Sequence, residues 1–185
     1  MHRTIAAFVF AFVPLVASAQ TFNRARVYAE GGKSMTNWHG QAAMQLVNFE
    51  VSHAFSPRTE VGFVFAPVRM QQPRSWFGNV FGDGNEDVRA ISGSLLFRRN
   101  FKLQSPQYNW YLEASSGPMW AEKRVPANTS RFNFISQAGA GFVLMPQSRF
   151  PLILGYRFAH ISNGGYAPRN PGLNVSMLVI GTRIR

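Results

Sequence analysis

The sequence predicts an all-β protein, an eight-stranded antiparallel transmembrane β-barrel, on three observations. The chain of 185 residues starts with a short apolar leader, and no later run is long and apolar enough for a membrane helix. The remainder repeats segments of about 10 residues in which apolar and polar side chains alternate, separated by Gly, Pro, Asn and Ser. Because only helices and closed barrels satisfy every backbone group in lipid, a membrane-spanning form of this chain has to be a barrel.

Residues 1–19 have the features of a signal peptide. A polar, basic start precedes an apolar core at residues 5–16, and small residues precede the expected cleavage site before Gln20. The apolar core is shorter than the ~20 residues that a spanning helix needs. We therefore expect residues 20–185 to be exported and to form a single β-barrel domain.

The alternation is clearest in residues 131–142, where one face is apolar and the other is polar or small. The apolar face carries Phe132, Phe134, Ala138, Ala140 and Phe142, and the other face carries Asn133, Gln137, Gly139 and Gly141. With aromatic residues at 14% of the chain, this pattern favours a lipid-facing exterior around a polar or small-residue lumen. A soluble β-sandwich, which alternates in the same way, is the alternative.

Eight strands are expected, and their connections alternate in length. The expected strands cover about residues 23–33, 42–54, 58–69, 87–99, 107–117, 131–145, 150–161 and 172–183. The shorter connections are at 55–57, 100–106 and 146–149, and the longer ones are at 34–41, 70–86, 118–130 and 162–171. Short turns at one end and long loops at the other are typical of outer-membrane barrels, whose long loops face the outside.

The charge balance indicates an anionic partner. The chain has 19 Lys and Arg against 8 Asp and Glu, and removal of Arg3 with the leader leaves 18 − 8 = +10. Nucleic acid is not expected behind a signal peptide, so a phosphorylated glycolipid surface is the predicted partner. The candidates for holding its phosphates are the arginines expected near the outer rim, Arg69, Arg74, Arg124 and Arg169. Alternatively, the arginines line a polar lumen or form a solvated face.

The candidate chemistry lies at the end of the seventh strand. Residues two apart share a strand face, so His160 and Ser162 point the same way as Phe158. The opposite face carries Arg157 and Ala159, which suits a lumen. We therefore expect His160 and Ser162 on the outside of the barrel, at the level of the outer leaflet.

A serine hydroxyl becomes a nucleophile when a neighbouring base takes its proton, and histidine can act as that base near neutral pH. A third group would orient the imidazole, and donors from Asn163 or the Gly164–Gly165 backbone would stabilise the oxyanion. The alternative is an interfacial histidine followed by an ordinary turn.

These residues resemble a known family. The pattern Phe158-x-His160-x-Ser162-Asn163-x-Gly165, followed by Asn170-x-Gly172-x-Asn174, is similar to that of the lipid A 3-O-deacylase (PagL-type) family of outer-membrane enzymes. The close similarity covers about the last 30 residues. The resemblance implies an eight-stranded barrel that hydrolyses the ester-linked acyl chain at position 3 of lipid A in lipopolysaccharide, without a metal or an organic cofactor.

The resemblance also implies roles for individual residues. His160 is implied as the general base, Ser162 as the nucleophile, and Asn163 and Gly165 as oxyanion-hole residues. The best-known family pattern has a glutamate where this chain has Asn174. An asparagine can orient an imidazole through a hydrogen bond but cannot offset the imidazolium charge. Asn174 is therefore predicted to be the orienting third member of the site, and Glu122 is an alternative acid.

The sequence does not favour a metal site, and it leaves two alternative functions open. The histidines lack zinc-ligand spacing, and the acidic residues at 83–87 are interpreted as a solvated outer loop rather than a calcium site. The alternative function is a non-enzymatic outer-membrane barrel that binds lipid or acts as an adhesin. A periplasmic lipid-binding β-protein is a third reading, and a homodimer is left open.

Overall fold

The computed structural model describes residues 22–35, 41–75, 84–102 and 107–184, and the expected signal peptide at 1–19 lies outside these ranges. Eight strands follow one another: β1 (Arg24–Ser34), β2 (Ala43–Ser56), β3 (Thr59–Pro73), β4 (Asn85–Lys102), β5 (Tyr108–Val125), β6 (Ser130–Leu144), β7 (Leu152–Ser162) and β8 (Leu173–Arg183). Each strand pairs antiparallel with its neighbours in sequence, and β1 pairs with β8 to close the barrel. The predicted fold class is confirmed. Among the described residues, no helix is long and apolar enough to cross a membrane.

The strands alternate as the sequence predicts, with apolar side chains on the outer wall. Exposed apolar residues recur at every second position of most strands, which is the surface expected where lipid replaces water as the solvent. They include Val47, Phe49, Val51, Phe65, Ile91, Leu95, Phe97, Leu112, Phe142, Leu154, Leu178 and Ile180. This wall supports a transmembrane barrel over the soluble sandwich, because a soluble protein rarely exposes so large an apolar surface.

The expectation of a long loop at residues 118–130 is wrong. β5 continues to Val125 and β6 begins at Ser130, so a short turn joins two extended strands. Gly117 and Pro118 look like strand breakers in the sequence, but pairing between β4 and β5 is interrupted at these two residues. The interruption accommodates a proline, which has no N–H to donate to a neighbouring strand.

One layer of the lumen is filled by a network of ion pairs. Of the described residues, four arginines and four glutamates take part: Arg24, Arg26, Arg98, Arg157, Glu30, Glu50, Glu60 and Glu113. Arg98 donates to both carboxylate oxygens of Glu50, at 2.7 and 2.8 Å, and to Glu113 at 2.7 Å. Arg157 donates to Glu113 at 2.6 Å and also to Glu30. Each buried charge therefore has an opposite partner, as burial of ionised groups requires.

The outer half of the lumen is largely apolar, with Gln72 and Asn133 as buried polar side chains near its outer end, and this corrects the expectation of a polar or small-residue interior for that half. Its buried apolar side chains are Ala42, Met44, Leu46, Ala66, Val68, Met70, Val88, Met119, Ala121, Val125, Ile135, Ala159, Ile161, Leu173, Val175 and Met177. Near the outer end, strands such as β8 are apolar on both faces, with Met177 inside and Leu178 outside. Sequence alternation cannot reveal a lumen of this kind, because both faces have the same character.

The acidic residues at 83–87 contribute to strand pairing rather than to a solvated loop, as far as they are described. Asp87 pairs with Arg69 at 3.2 Å, and Glu86 pairs with Lys123 at 2.9 Å. Asp83 lies outside the described residues. Within the described ranges, no group of three or more His, Cys, Asp or Glu side chains is arranged to hold a metal ion.

Candidate active site

The centre of the candidate site is a contact between β7 and β8 on the outer wall. His160 and Asn174 are paired directly opposite each other, and His160 Nδ1 lies 2.7 Å from Asn174 Oδ1. The amide oxygen can only accept, so this contact places the ring proton on Nδ1 and leaves Nε2 free to take a proton. The predicted orienting role of Asn174 has the geometry it requires.

Ser162 lies two positions after His160 and shares its outward face, half-buried at the end of β7. Residues 159 and 161, which alternate with them, are fully buried in the lumen. In the described part of the chain, no hydrogen bond joins the Ser162 hydroxyl to another residue. The structure therefore places the two side chains on one wall, as expected, with no hydrogen bond between the Ser162 hydroxyl and His160 Nε2.

Gly172 shapes the space around the imidazole just before β8. Its φ is +70°, and a Cβ at this position would lie 2.7 Å from His160 Cε1. A side chain at 172 would therefore strain the backbone and push the histidine ring away from Asn174.

Gly172→Ala is expected to lower the esterase activity that the sequence predicts about 100-fold, because a shift of about 1 Å in a catalytic group costs that much. The matched control is Gly84→Ala, which has a similar φ of +72° with no atom within 4 Å of the added Cβ. Both variants carry the backbone strain, but only the first displaces His160. Equal activity of the two folded variants in a deacylation assay would contradict this role of Gly172.

Asn163 is buried and organises the loop that follows Ser162. Its N–H donates to Asn170 Oδ1 at 2.9 Å, and its side-chain amide donates to the Arg169 carbonyl at 2.7 Å. Its Oδ1 accepts the N–H of Gly165 at 2.9 Å. The donors of Asn163 and Gly165 named from the sequence are thus engaged inside the loop. The Gly164 N–H makes no hydrogen bond to another described residue.

Glu122, the alternative acid, is not brought to His160. It lies on β5, separated from β7 by β6, and its carboxylate accepts the N–H of Arg89 on β4 at 2.9 Å. The contact turns it toward the side of β5 that is away from β7. Asn174 is therefore the side chain that the structure offers to the imidazole.

Sequence reasoning missed two groups that flank the site on β6. Phe134 is paired directly opposite Ser162 and contacts the ring of Tyr166 in the β7–β8 loop, with ring centroids 6.2 Å apart. Ser136 is paired directly opposite His160, and its hydroxyl is 2.8 Å from that of Ser116 on β5. The sequence alone does not indicate either group, because the pairing of β6 with β7 depends on where the turn between them begins and ends, and a one-residue shift changes every partner.

The model of the family described as lipid A 3-O-deacylase (PagL) matches residues 32–183. The chain belongs to the lipid A 3-O-deacylase (PagL) family. His160, Ser162 and Asn174 all lie inside the range that matches the PagL family.

One relative in the PagL family is lipid A deacylase PagL of Bordetella bronchiseptica, which is 34% identical over 85 residues. That match covers 40% of this chain and 44% of the relative, so less than half of the relative's length is matched. The activity and substrate that its name states are therefore properties of the relative.

Two solved structures have similar folds. The crystal structure of the outer membrane enzyme PagL gives a TM-score of 0.60 at 17% identity, covering 87% of this chain and 99% of that chain. Neisserial surface protein A gives a TM-score of 0.62 at 15% identity, covering 86% of this chain and 94% of that chain. At these identities, both structures support the barrel fold of this PagL family member.

Proposed function

We propose that this protein is an outer-membrane serine esterase that removes the 3-O-linked acyl chain of lipid A, after export directed by residues 1–19. The observation that carries this proposal is the His160–Asn174 contact on the bilayer-facing wall, inside the range matched by the PagL family. The contact lies at the end of the barrel that carries the β1–β2, β3–β4, β5–β6 and β7–β8 connections. That end corresponds to the outer leaflet of an outer-membrane barrel, where lipid A resides.

Ser162 is the proposed nucleophile and His160 the proposed general base. As the Ser162 oxygen attacks the ester carbonyl carbon, its proton moves to Nε2 of His160. This proton then passes to the departing sugar 3-oxygen, and the acyl chain remains as an ester on Ser162. Water gives a proton to His160, attacks the acyl-enzyme and releases the fatty acid, and the proton returns to Ser162.

The negative charge on the attacked carbonyl oxygen needs donors close to Ser162. We assign this role to the 163–165 loop. The Gly164 N–H is free among the described residues, whereas Asn163 and Gly165 would each have to exchange an internal hydrogen bond for one to the substrate. Because the substrate diffuses within the same leaflet as the site, confinement to the membrane plane supplies part of its orientation.

Asn174→Asp is expected to raise kcat about 10- to 100-fold. The substitution keeps the acceptor at the position that is 2.7 Å from His160 Nδ1, and the added negative charge stabilises the imidazolium that forms during attack. The measurement is the initial rate of lipid A deacylation in mixed micelles.

Ser176→Asp is the matched control for this variant. It adds a carboxylate to the same face of β8, two residues from Asn174, where Ser176 accepts a hydrogen bond from the Tyr156 hydroxyl at 2.7 Å. It should give no comparable gain. A rate for Asn174→Asp at or below that of the wild type would show that the imidazolium charge does not limit this enzyme.

The proposed function is tested by mass spectrometry of lipid A from a bacterium with unmodified lipid A, with and without the expressed protein. The expected result is the loss of one acyl chain from position 3 in the presence of the wild-type protein. The alternative, a non-enzymatic barrel that binds lipid or acts as an adhesin, predicts unchanged lipid A. The family match does not favour this alternative.

The proposed partner is lipid A itself, held partly through its phosphates. Arg69, Arg74, Arg124 and Arg169 are all exposed near the outer end of the barrel, and this exposure supports the proposed phosphate contacts. The homodimer stays a prediction, to be measured by light scattering in detergent.

A further inference from the structure

A row of polar side chains crosses the outer wall through the candidate site. Ser116 on β5 pairs with Ser136 on β6, Ser136 pairs with His160 on β7, and His160 pairs with Asn174 on β8. All four side chains lie on the bilayer-facing side, and two contacts join them in pairs: 2.8 Å between the serine hydroxyls and 2.7 Å between histidine and asparagine. The row is therefore interrupted only between Ser136 and His160.

The serine pair retains unused hydrogen-bonding capacity. Each hydroxyl can donate once and accept twice, and the bond between Ser116 and Ser136 uses only part of this. Both serines are exposed on a wall that is otherwise largely apolar. A small polar molecule on this part of the wall therefore has few other groups with which to form hydrogen bonds. The Ser116–Ser136 pair can therefore form hydrogen bonds to one more small polar molecule beside the imidazole.

The geometry points to a hydrolytic water site between Ser136 and His160. We propose that the Ser116–Ser136 pair positions the water that hydrolyses the acyl-enzyme, an inference that rests on the proposed esterase function. Side chains paired directly opposite on antiparallel strands have Cβ atoms about 5 Å apart. A water that bridges a hydroxyl oxygen and a ring nitrogen needs about 5.5 Å between those two atoms, and side chains on neighbouring strands can reach this separation.

The orientation of the imidazole agrees with this placement. Nδ1 faces Asn174 on β8, and the two nitrogens of an imidazole point in different directions, so Nε2 points away from Asn174; a Cβ at Gly172 would lie 3.4 Å from it. Ser136 lies on the flank of His160 opposite to Asn174, because β6 and β8 flank β7 on its two sides. After acylation, Nε2 no longer faces a serine proton and can accept one from the water.

The water held by Ser136 gives a proton to Nε2 of His160, and its oxygen forms a bond to the acyl carbon. The bond between that carbon and Ser162 Oγ breaks, the proton on His160 moves to Ser162 Oγ, and the fatty acid leaves. Ser136 itself is not covalently changed, so it is a positioning residue.

The test separates the two halves of the reaction by rapid quench with lipid A in mixed micelles. Ser136→Ala should release 3-O-deacylated lipid A in a burst equal to the enzyme concentration, followed by fatty-acid release at least 10-fold slower than in the wild type. Intact-mass measurement should find the acyl chain on the enzyme. Ser136→Thr, which keeps the hydroxyl, should restore fast turnover, and the isosteric Ser136→Val should not.

Ser176→Ala is the control, since this outward serine lies on the β8 side of His160 and hydrogen-bonds Tyr156. It should show no burst. A Ser136→Ala enzyme with wild-type turnover, or one in which only KM changes, would overturn the water site and indicate a substrate contact instead. If Ser136→Ala does not fold, the turnover rates of Ser136→Thr and Ser136→Val are compared instead, and they decide the same question. An inactive wild-type protein would overturn the esterase function itself, and the water site with it.

Discussion

Ser162→Ala should reduce lipid A deacylation by at least about 10³-fold, while the protein inserts and folds as before. The hydroxyl makes no hydrogen bond to another described residue, so its removal costs the fold little. It is the proposed nucleophile, and loss of a nucleophile removes covalent catalysis and leaves only the contributions of binding and oxyanion stabilisation. Mass spectrometry of lipid A measures the effect in cells, and initial rates in micelles measure it in vitro.

The double variant Ser162→Ala/His160→Ala gives this prediction its control. Residues that act as a unit are not additive, so the double variant should be no slower than Ser162→Ala alone. If the losses multiplied instead, the two residues would be acting independently. Residual activity of Ser162→Ala within tenfold of the wild type would remove Ser162 from the mechanism.

Arg98→Ala is expected to have the largest effect on stability, a loss of about 3–5 kcal/mol in the free energy of unfolding. The substitution leaves the buried carboxylates of Glu50 and Glu113 without the arginine that contacts both. Unfolding by urea in detergent micelles measures the loss, and the shift of the folded band on an unheated gel confirms that a barrel has formed.

Arg99→Ala is the matched control, because the neighbouring arginine points outward. Its guanidinium donates to the Thr59 hydroxyl at 2.7 Å in an exposed position. Such a contact contributes roughly 0–1 kcal/mol, so Arg99→Ala should unfold almost as the wild type does. Similar losses for both variants would show that the lumen network contributes little to stability.

Much of the fold could be predicted because a strand reveals its faces through a two-residue period. The outward placement of His160 and Ser162, and the inward placement of Arg157, follow from that period and are confirmed. The end of β5 could not be predicted, because whether Pro118 breaks a strand depends on the pairing of β4 at that position. The apolar outer lumen could not be predicted either, since its strands are apolar on both sides.

The candidate site, like the fold, could be predicted from the sequence only in part. The contact of His160 with Asn174 follows from their positions at adjacent strand ends, which the sequence indicates. The loop of Asn163 could not be predicted, because its hydrogen bonds depend on which groups of residues 165–170 fold back onto it. Ser136 stayed hidden because its importance comes from cross-strand pairing, and a serine among alternating residues has no distinctive pattern of its own.

Among the described residues, ion pairs and an apolar cluster with four methionines fill the lumen. The proposed lipid substrate would therefore reach Ser162 from the side, by lateral diffusion in its own leaflet, with its acyl chain kept in the bilayer. The encounter rate in the proposed reaction would then depend on the surface density and fluidity of the surrounding glycolipid rather than on a bulk concentration.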